Sequence, residues 1–226
     1  MPDLLKVVTI DGPSGVGKST VSRWLAARIG YTYLDTGAMY RAVALSCLQN
    51  RVDPGDENAV RGILDNLNLQ LLPALSEKED VRVLLDSEEV GNRIRTPEIS
   101  MMASAVSALR SVRERLTRMQ QDLGAAGKIV AEGRDTGTVV FPDAAWKFFL
   151  DAAPAVRTRR RINQMRGKGE KVNEEKILAQ ILQRDRNDSE RTIAPLKAAP
   201  DAVHIDSTDL NAEEVLDLML QVVRGK

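Results

Sequence analysis

The chain has 226 residues, 43% of them hydrophobic and 28% charged, with Lys+Arg and Asp+Glu both at 32. That is one good-sized domain with lobes, or two small ones, and the balanced charge argues against a general nucleic-acid binder. One cysteine, Cys47, excludes an intrachain disulfide and suits a reducing compartment, and the single histidine, His204, leaves little room for His-based catalysis or a His metal cluster. Arg outnumbers Lys by 22 to 10, which matters where a planar guanidinium can grip phosphate.

The N-terminus enters its first strand almost at once, which leaves no room for a signal peptide and gives a cytoplasmic expectation. No apolar run is long enough to span a bilayer. Lys6–Ile10 is short, apolar and β-branched and reads as that strand. The loop after it fits G-x-x-x-x-G-K-[ST], with Gly12, Gly17, Lys18 and Ser19 at the fixed positions. Glycines allow backbone N–H groups to wrap a polyphosphate, Lys18 adds a point charge for the β- and γ-phosphates, and Ser19 can ligate Mg²⁺. The expected phosphate-binding loop is therefore Gly12, Pro13, Ser14, Gly15, Val16, Gly17, Lys18, Ser19 and Thr20. Helical spacing through Val21, Leu25 and Ile29 then sets the phosphate at a helix N-terminus.

Tyr31–Leu34 reads as a second strand ending at Asp35, and a helix begins near Ala38 with Arg41 close to its start. Cys47 falls in its apolar run as a buried small residue. Glu57–Leu67 is a further amphipathic helix. The period then changes to two at Leu67–Leu71 and Val81–Leu85, with a possible third strand over Asp86–Val90, so a small antiparallel sheet stands between about 67 and 95. Its strands read as a structural flap. Thr96-Pro97-Glu98 looks like a helix start, with helices over Glu98–Ala108 and Val112–Leu123. Lys128–Glu132 is a buried strand ending in an acid, followed by Gly133, Arg134 and Asp135. Trp146–Leu150 and Val203–Asp206 are the last strands, His204 being an ordinary residue of the latter. Strands alternating with helices predict a parallel sheet covered on both faces, with ligands beyond the strands' carboxyl ends.

Ala155–Met165 is a predicted helix with Arg157, Arg160 and Arg161 on one face, broken by the basic segment Arg166–Lys171. Such a cluster is what a lid over a nucleoside triphosphate needs, the bland alternative being a solvated basic face. The helix capped by Asn173 carries a stripe of Ile177, Ile181, Arg184, Asp188 and Arg191. Because the two isoleucines face a core, the three charged residues should line a polar cavity with an anion in it. Asn211 and Glu214 form a variant capping box for a closing structural helix.

Several motifs together carry a resemblance. I-D-G-P-S-G-x-G-K stands at 10–18, L-D-T-G-A-M-Y-R at 34–41, I-R-T at 94–96 and V-R-E at 112–114. G-R-D-x-G-T-V-V-F-P-D-A follows at 133–144, R-D-x-x-D at 184–188, A-P-L at 194–196 and D-S-T at 206–208. In these the chain resembles the bacterial cytidylate (CMP) kinases, a family of P-loop nucleoside-monophosphate kinases. The resemblance implies an α/β P-loop three-layer fold with a central parallel sheet. It divides the chain into a core (1–36, 96–156 and 187–226), a monophosphate-binding lobe with the β insertion (about 37–95) and a basic lid (about 157–186). It implies that Ser104, Arg113 and Asp135 read cytosine, that Thr36, Arg41, Arg134 and Arg191 hold the acceptor phosphate, and that Arg184 and Asp188 hold the ribose.

The activity so implied is phosphorylation of CMP or dCMP by ATP with Mg²⁺. Lys18, Arg134, Arg160, Arg161 and Arg191 are then the catalytic cations, and Ser19 and Glu132 the metal side, Glu132 directly or through water. The expected protein is a monomer without nucleic-acid or membrane partners. Ser19, Thr36 and Glu132 stand where family members often have Gly, Ser and Asp. Two other readings remain: a P-loop kinase for another small acceptor, such as UMP, and a nucleotide-binding switch that hydrolyses slowly.

Overall fold

The computed structural model describes residues 6–74, 79–167, 169 and 171–225. β1 (Val7–Asp11), α1 (Lys18–Ile29), β2 (Thr32–Asp35) and α2 (Thr36–Gln49) open the chain. α3 (Glu57–Asp65) leads into an antiparallel sheet of β3 (Leu69–Leu72), β4 (Arg82–Leu85) and β5 (Glu88–Glu89). α4 (Pro97–Val106) and α5 (Arg110–Gly124) follow, then β6 (Ile129–Gly133) and β7 (Trp146–Asp151). α6 (Pro154–Gly167), α7 (Glu174–Glu190), β8 (Val203–Asp206) and α8 (Ala212–Gly225) complete it. Elements expected from the sequence are present with ends shifted by a residue or two, except that the third insertion strand shrinks to Glu88–Glu89. The polar turn expected between the first two insertion strands lies partly outside the described residues, as do Lys168 and Glu170 of the basic break.

The main sheet is parallel throughout, in the order β2-β6-β1-β7-β8. Alternation sends Val8, Ile10, Val130, Phe148 and Leu150 to one face, against Val21 and Leu25 of α1 and Val215 and Met219 of α8. Val7, Leu34, Ile129 and Ala131 go to the other face, beside Phe141. There α5 ends so close that a Cβ on Gly124 would lie 2.5 Å from the Phe141 ring. Helices thus cover both faces, as a parallel sheet requires.

A separate apolar cluster joins α2, α4 and α5 to the antiparallel insertion through Met39, Val43, Val83, Ile94, Ile99 and Leu116. The insertion is therefore part of a packed lobe. Ile162, Ile177 and Ile181 form a small cluster of their own between α6 and α7. Residues 157 and 186, the expected limits of the lid, lie inside these two helices. The predicted caps are present. Thr96 accepts from the Ile99 N–H with Pro97 in the first turn, Asn173 accepts from Lys176, and Asn211 and Glu214 bond reciprocally.

Cys47 is fully buried in α2, and burial pushes its thiol up to about 11. A thiol held that far above neutrality has almost no thiolate. Native protein at pH 8 should react with a thiol-specific disulfide reagent about 100-fold or more slowly than protein in urea. Equal rates would place Cys47 at the surface.

Candidate active site

The loop after β1 closes around its own carbonyls. Gly12 has φ 151°, and a Cβ there would meet the Leu150 carbonyl oxygen at 2.0 Å, so the loop can lie against β7 only with glycine. Gly17, at φ 104°, is the left-handed N-cap of α1. Lys18 is buried, and its amine donates to the Gly12 and Pro13 carbonyls at 2.8 and 2.7 Å. Burial, and then the neighbouring guanidiniums of Arg134 and Arg184, push Lys18 well below the ordinary lysine range. A polyanion in the loop reverses that penalty.

This loop forms one wall of a cavity of about 640 Å³. Ser19, Asp35, Gly37, Arg41, Glu132 and Arg134 line the floor, and Arg160, Arg161 and Arg184 come from α6 and α7. The parallel register sets Asp35 opposite Glu132 at the strand ends. Two facing carboxylates repel, and the outcomes differ. Burial works against the charged form of Asp35, but Arg41 at 2.8 Å and Arg95 at 3.8 Å outweigh it and hold its carboxyl below the usual range. Burial and then Asp35 push Glu132 up. Glu132 Oε1 accepts from Ser19 Oγ at 2.7 Å and from Tyr33 Oη at 2.5 Å, while its Oε2 is buried with no hydrogen-bond partner. A hydroxyl beside an unsatisfied carboxylate oxygen is a hard-oxygen donor set that fits Mg²⁺.

At the far side of β6 stands a cluster of buried charges. Asp135 pairs with Arg113 and lies 3.3 Å from Arg191; Asp188 pairs with Arg134 at 2.8 Å and accepts from Ser104 at 3.5 Å. Burial opposes the Asp188 carboxylate, but Arg134 and Arg184 overcome it and keep it below the ordinary range. Burial and then Arg134 lower Arg184 to about 10, and its Nε has no partner. Asp11 organises the backbone here. From the end of β1 it accepts from Thr136 N and Oγ1 at 2.9 and 2.8 Å and from Gly137 N at 2.8 Å, fixing the π-helical turn Thr136–Val140 that begins after Asp135.

The family model described as cytidylate kinase matches residues 8–225. The chain belongs to the cytidylate kinase family. It is 46% identical to the cytidylate kinase of Citrifermentans bemidjiense over 97% of its own length and 93% of that protein's. To the cytidylate kinase of Carboxydothermus hydrogenoformans it is 43% identical over 97% of both chains. Among solved structures it is similar to shikimate kinase from Bacteroides thetaiotaomicron, with a TM-score of 0.50 at 13% identity over 97% of this chain and 98% of that one. That likeness supports the P-loop kinase fold alone.

The residues expected from this family's pattern gather around the cavity and the adjoining ion-pair cluster, with three refinements. Ser104, Arg113, Asp135, Asp188 and Arg191 are tied into a network that also includes Ser107, Arg134 and the Ala194 carbonyl, and they do not line the main cavity. The Thr36 hydroxyl is buried and donates to the Glu132 carbonyl at 2.7 Å, tying the start of α2 to β6, instead of pointing into the cavity. Of the α6 arginines, Arg160 and Arg161 both border the cavity, but the Arg160 guanidinium is engaged by Val16 O, Ser207 and Leu210 O. Arg157 is buried against Ser14 O and Asp185 at 3.1 and 2.5 Å, so it braces the P-loop and is not a free lid cation. Helical spacing gave the shared face correctly but not the neighbour that one arginine would meet.

Sequence reasoning missed Tyr33, Arg95 and Asp80. Asp80 lies just before β4, lines the cavity and bridges Arg23 at 3.0 Å and Arg95 at 3.1 Å. The strands of the insertion stay clear of the cavity while their approach reaches it. The period-two signal at Tyr33 and Asp35 could have found the tyrosine, since it sets both on one strand face.

A cation with a depressed folded pKa costs stability at every pH below that value, so Arg184 destabilises the ligand-free fold at neutral pH. Arg184→Met should stabilise the ligand-free protein by about 1 kcal/mol, a rise of roughly 2–4 °C in Tm by calorimetry, while weakening nucleotide binding. A lowered Tm would mean that electrostatic attraction to Asp188 outweighs its burial.

Proposed function

We propose that the protein transfers the γ-phosphoryl group of ATP to CMP or dCMP, giving ADP and CDP or dCDP. The observation that carries the acceptor is the buried Asp135–Arg113 pair with Arg191 in its weaker second contact. Cytosine offers an N4 amine as donor and N3 and O2 as acceptors, which suit a carboxylate and a guanidinium respectively. The amine would replace Arg191 at Asp135, freeing that guanidinium for the acceptor phosphate beside Arg41 and Arg134. Uracil would turn its O4 acceptor toward Asp135, and a site built on such bonds discriminates by roughly 10⁴-fold. Arg184 and Asp188 would hold the sugar, and Ser104 would border the base.

Residues 12–20 would hold the triphosphate, with Lys18 released from the two loop carbonyls onto the β- and γ-phosphates. An acceptor phosphate oxygen attacks the γ-phosphorus while the bond to the bridging oxygen of ADP breaks and its electron pair leaves with ADP. The loose transition state asks for positioning and charge stabilisation, and a dianionic nucleophile needs no strong general base. Lys18, Arg134, Arg161 and Arg191 supply the cations. Arg160 could join them only by giving up its present carbonyl partners. Ser19 and Glu132 would hold Mg²⁺, which when bound neutralises phosphate charge.

The segment at 157–186 would close over ATP and that at 37–95 over CMP, about a core formed by the rest. The separate cluster of Ile162, Ile177 and Ile181 favours a distinct lid, whereas the apolar cluster of the lobe runs on past residue 95 into α4 and α5. A monomer of a reducing cytoplasm fits the balanced charge and the buried free thiol. Among the described residues no helix is long and apolar enough to cross a membrane.

The test is a panel of CMP, dCMP and UMP at fixed Mg-ATP. CMP or dCMP should be strongly preferred, and a preference for UMP would remove the cytosine assignment. Arg191→Ala should lower turnover roughly 10²-fold or more while ATP binding by calorimetry stays largely intact; unchanged turnover would take Arg191 out of the site.

A further inference from the structure

The two oxygens of Glu132 are unequal. Oε1 accepts two hydroxyls, from Tyr33 and Ser19, at 2.5 and 2.7 Å, whereas Oε2 is buried, lacks any protein partner and belongs to a residue of the cavity wall. The strand register explains how Tyr33 reaches it. Asp35 is the direct partner of Glu132, so Tyr33 sits two residues back on the same face of β2, a diagonal that a phenol ring is long enough to span. The ring is itself held, because it packs against the α2 cluster on one side and the sheet cluster on the other.

A glutamate at a strand end can turn its carboxylate, presenting one oxygen or both. With Oε1 fixed by two donors, only Oε2 is left to a cation. Divalent ions respond differently to that limit. Mg²⁺ demands small octahedral geometry and is bound through single carboxylate oxygens, whereas Ca²⁺ accepts carboxylates in bidentate fashion and a higher coordination number.

We propose that Tyr33 is a positioning residue that restricts Glu132 to monodentate ligation of a divalent cation and so favours Mg²⁺ and Mn²⁺ over Ca²⁺. The proposal rests on the reading that Glu132 faces the metal. It also accounts for the combination of Ser19, Glu132 and Tyr33 as one unit: the longer carboxylate reaches both hydroxyls at once. Ser19, in donating its proton to Glu132, keeps its oxygen lone pairs turned outward.

The experiment is Mn²⁺ titration, read by electron paramagnetic resonance, of the full-length protein with a non-hydrolysable ATP analogue bound, followed by displacement with Ca²⁺. Tyr33→Phe retains the packed ring and removes only the hydroxyl. It should weaken Mn²⁺ binding about 10-fold and make Ca²⁺ a better competitor relative to Mn²⁺ by a similar factor, with melting temperature and CMP KM close to those of the native protein. Glu132→Gln is the control and should weaken Mn²⁺ binding at least as much. Loss of Mn²⁺ affinity in Glu132→Gln with an unchanged Ca²⁺/Mn²⁺ ratio in Tyr33→Phe would overturn the role of Tyr33 alone. Unchanged Mn²⁺ binding in Glu132→Gln would overturn the metal reading itself, and the role of Tyr33 with it.

Discussion

The structure depends on confining more positive charge around one cavity than burial favours. Lys18, Arg134 and Arg184 face the same space, and burial lowers both Lys18 and Arg184. Desolvated cations persist only where carboxylates or a ligand compensate them. The protein meets this with paired acids at strand and helix ends: Asp35 for Arg41, Asp188 for Arg134, Asp135 for Arg113 and Arg191. Each of those pairs also belongs to the ground where a nucleotide would bind. On the proposed function, ligand binding would be an exchange of partners within this charged cluster, and the nucleotide would relieve part of the cost of burying the cations.

The sheet makes that confinement possible. Parallel pairing puts Asp11, Asp35 and Glu132 at the same edge, and alternation sends Asp35 and Glu132 toward the P-loop helix side while Asp11 turns the other way to fix residues 136–140. Asp35 and Glu132 thus face the cavity, while Asp11 fixes the turn that begins after Asp135. α7 adds the third side: it continues unbroken past Asp188, so two isoleucines pack against α6 while Arg184 and Asp188 extend along the same stripe into polar ground.

Much of this was legible in the sequence because it is local. The P-loop is a spacing of a few residues, the caps at Thr96, Asn173 and Asn211 are three-residue signals, and the Ile177–Asp188 stripe follows from helical period alone. Contacts across strands were less so. Tyr33 and Glu132 are 99 positions apart, and nothing in either segment names the other until the register of β2 on β6 is fixed. The same limit hid the fate of Arg157, whose burial depends on Ser14 and Asp185. The Thr36 hydroxyl was assigned to phosphate by motif, yet its nearest acceptor is the Glu132 carbonyl of an adjacent strand. Family resemblance supplied the acceptor end, where Ser104, Arg113 and Asp135 carry no spacing signal of their own.

On the proposed function the carboxylate of Asp135, set by Arg113, would decide which base the site accepts. Calorimetric titration of native protein and of Asp135→Asn with CMP and with UMP tests it most directly. Native protein should bind CMP at least about tenfold more tightly than UMP, and the amide variant should lose most of that preference. An Asp135→Asn variant that folds and keeps the native CMP-over-UMP ratio would contradict it.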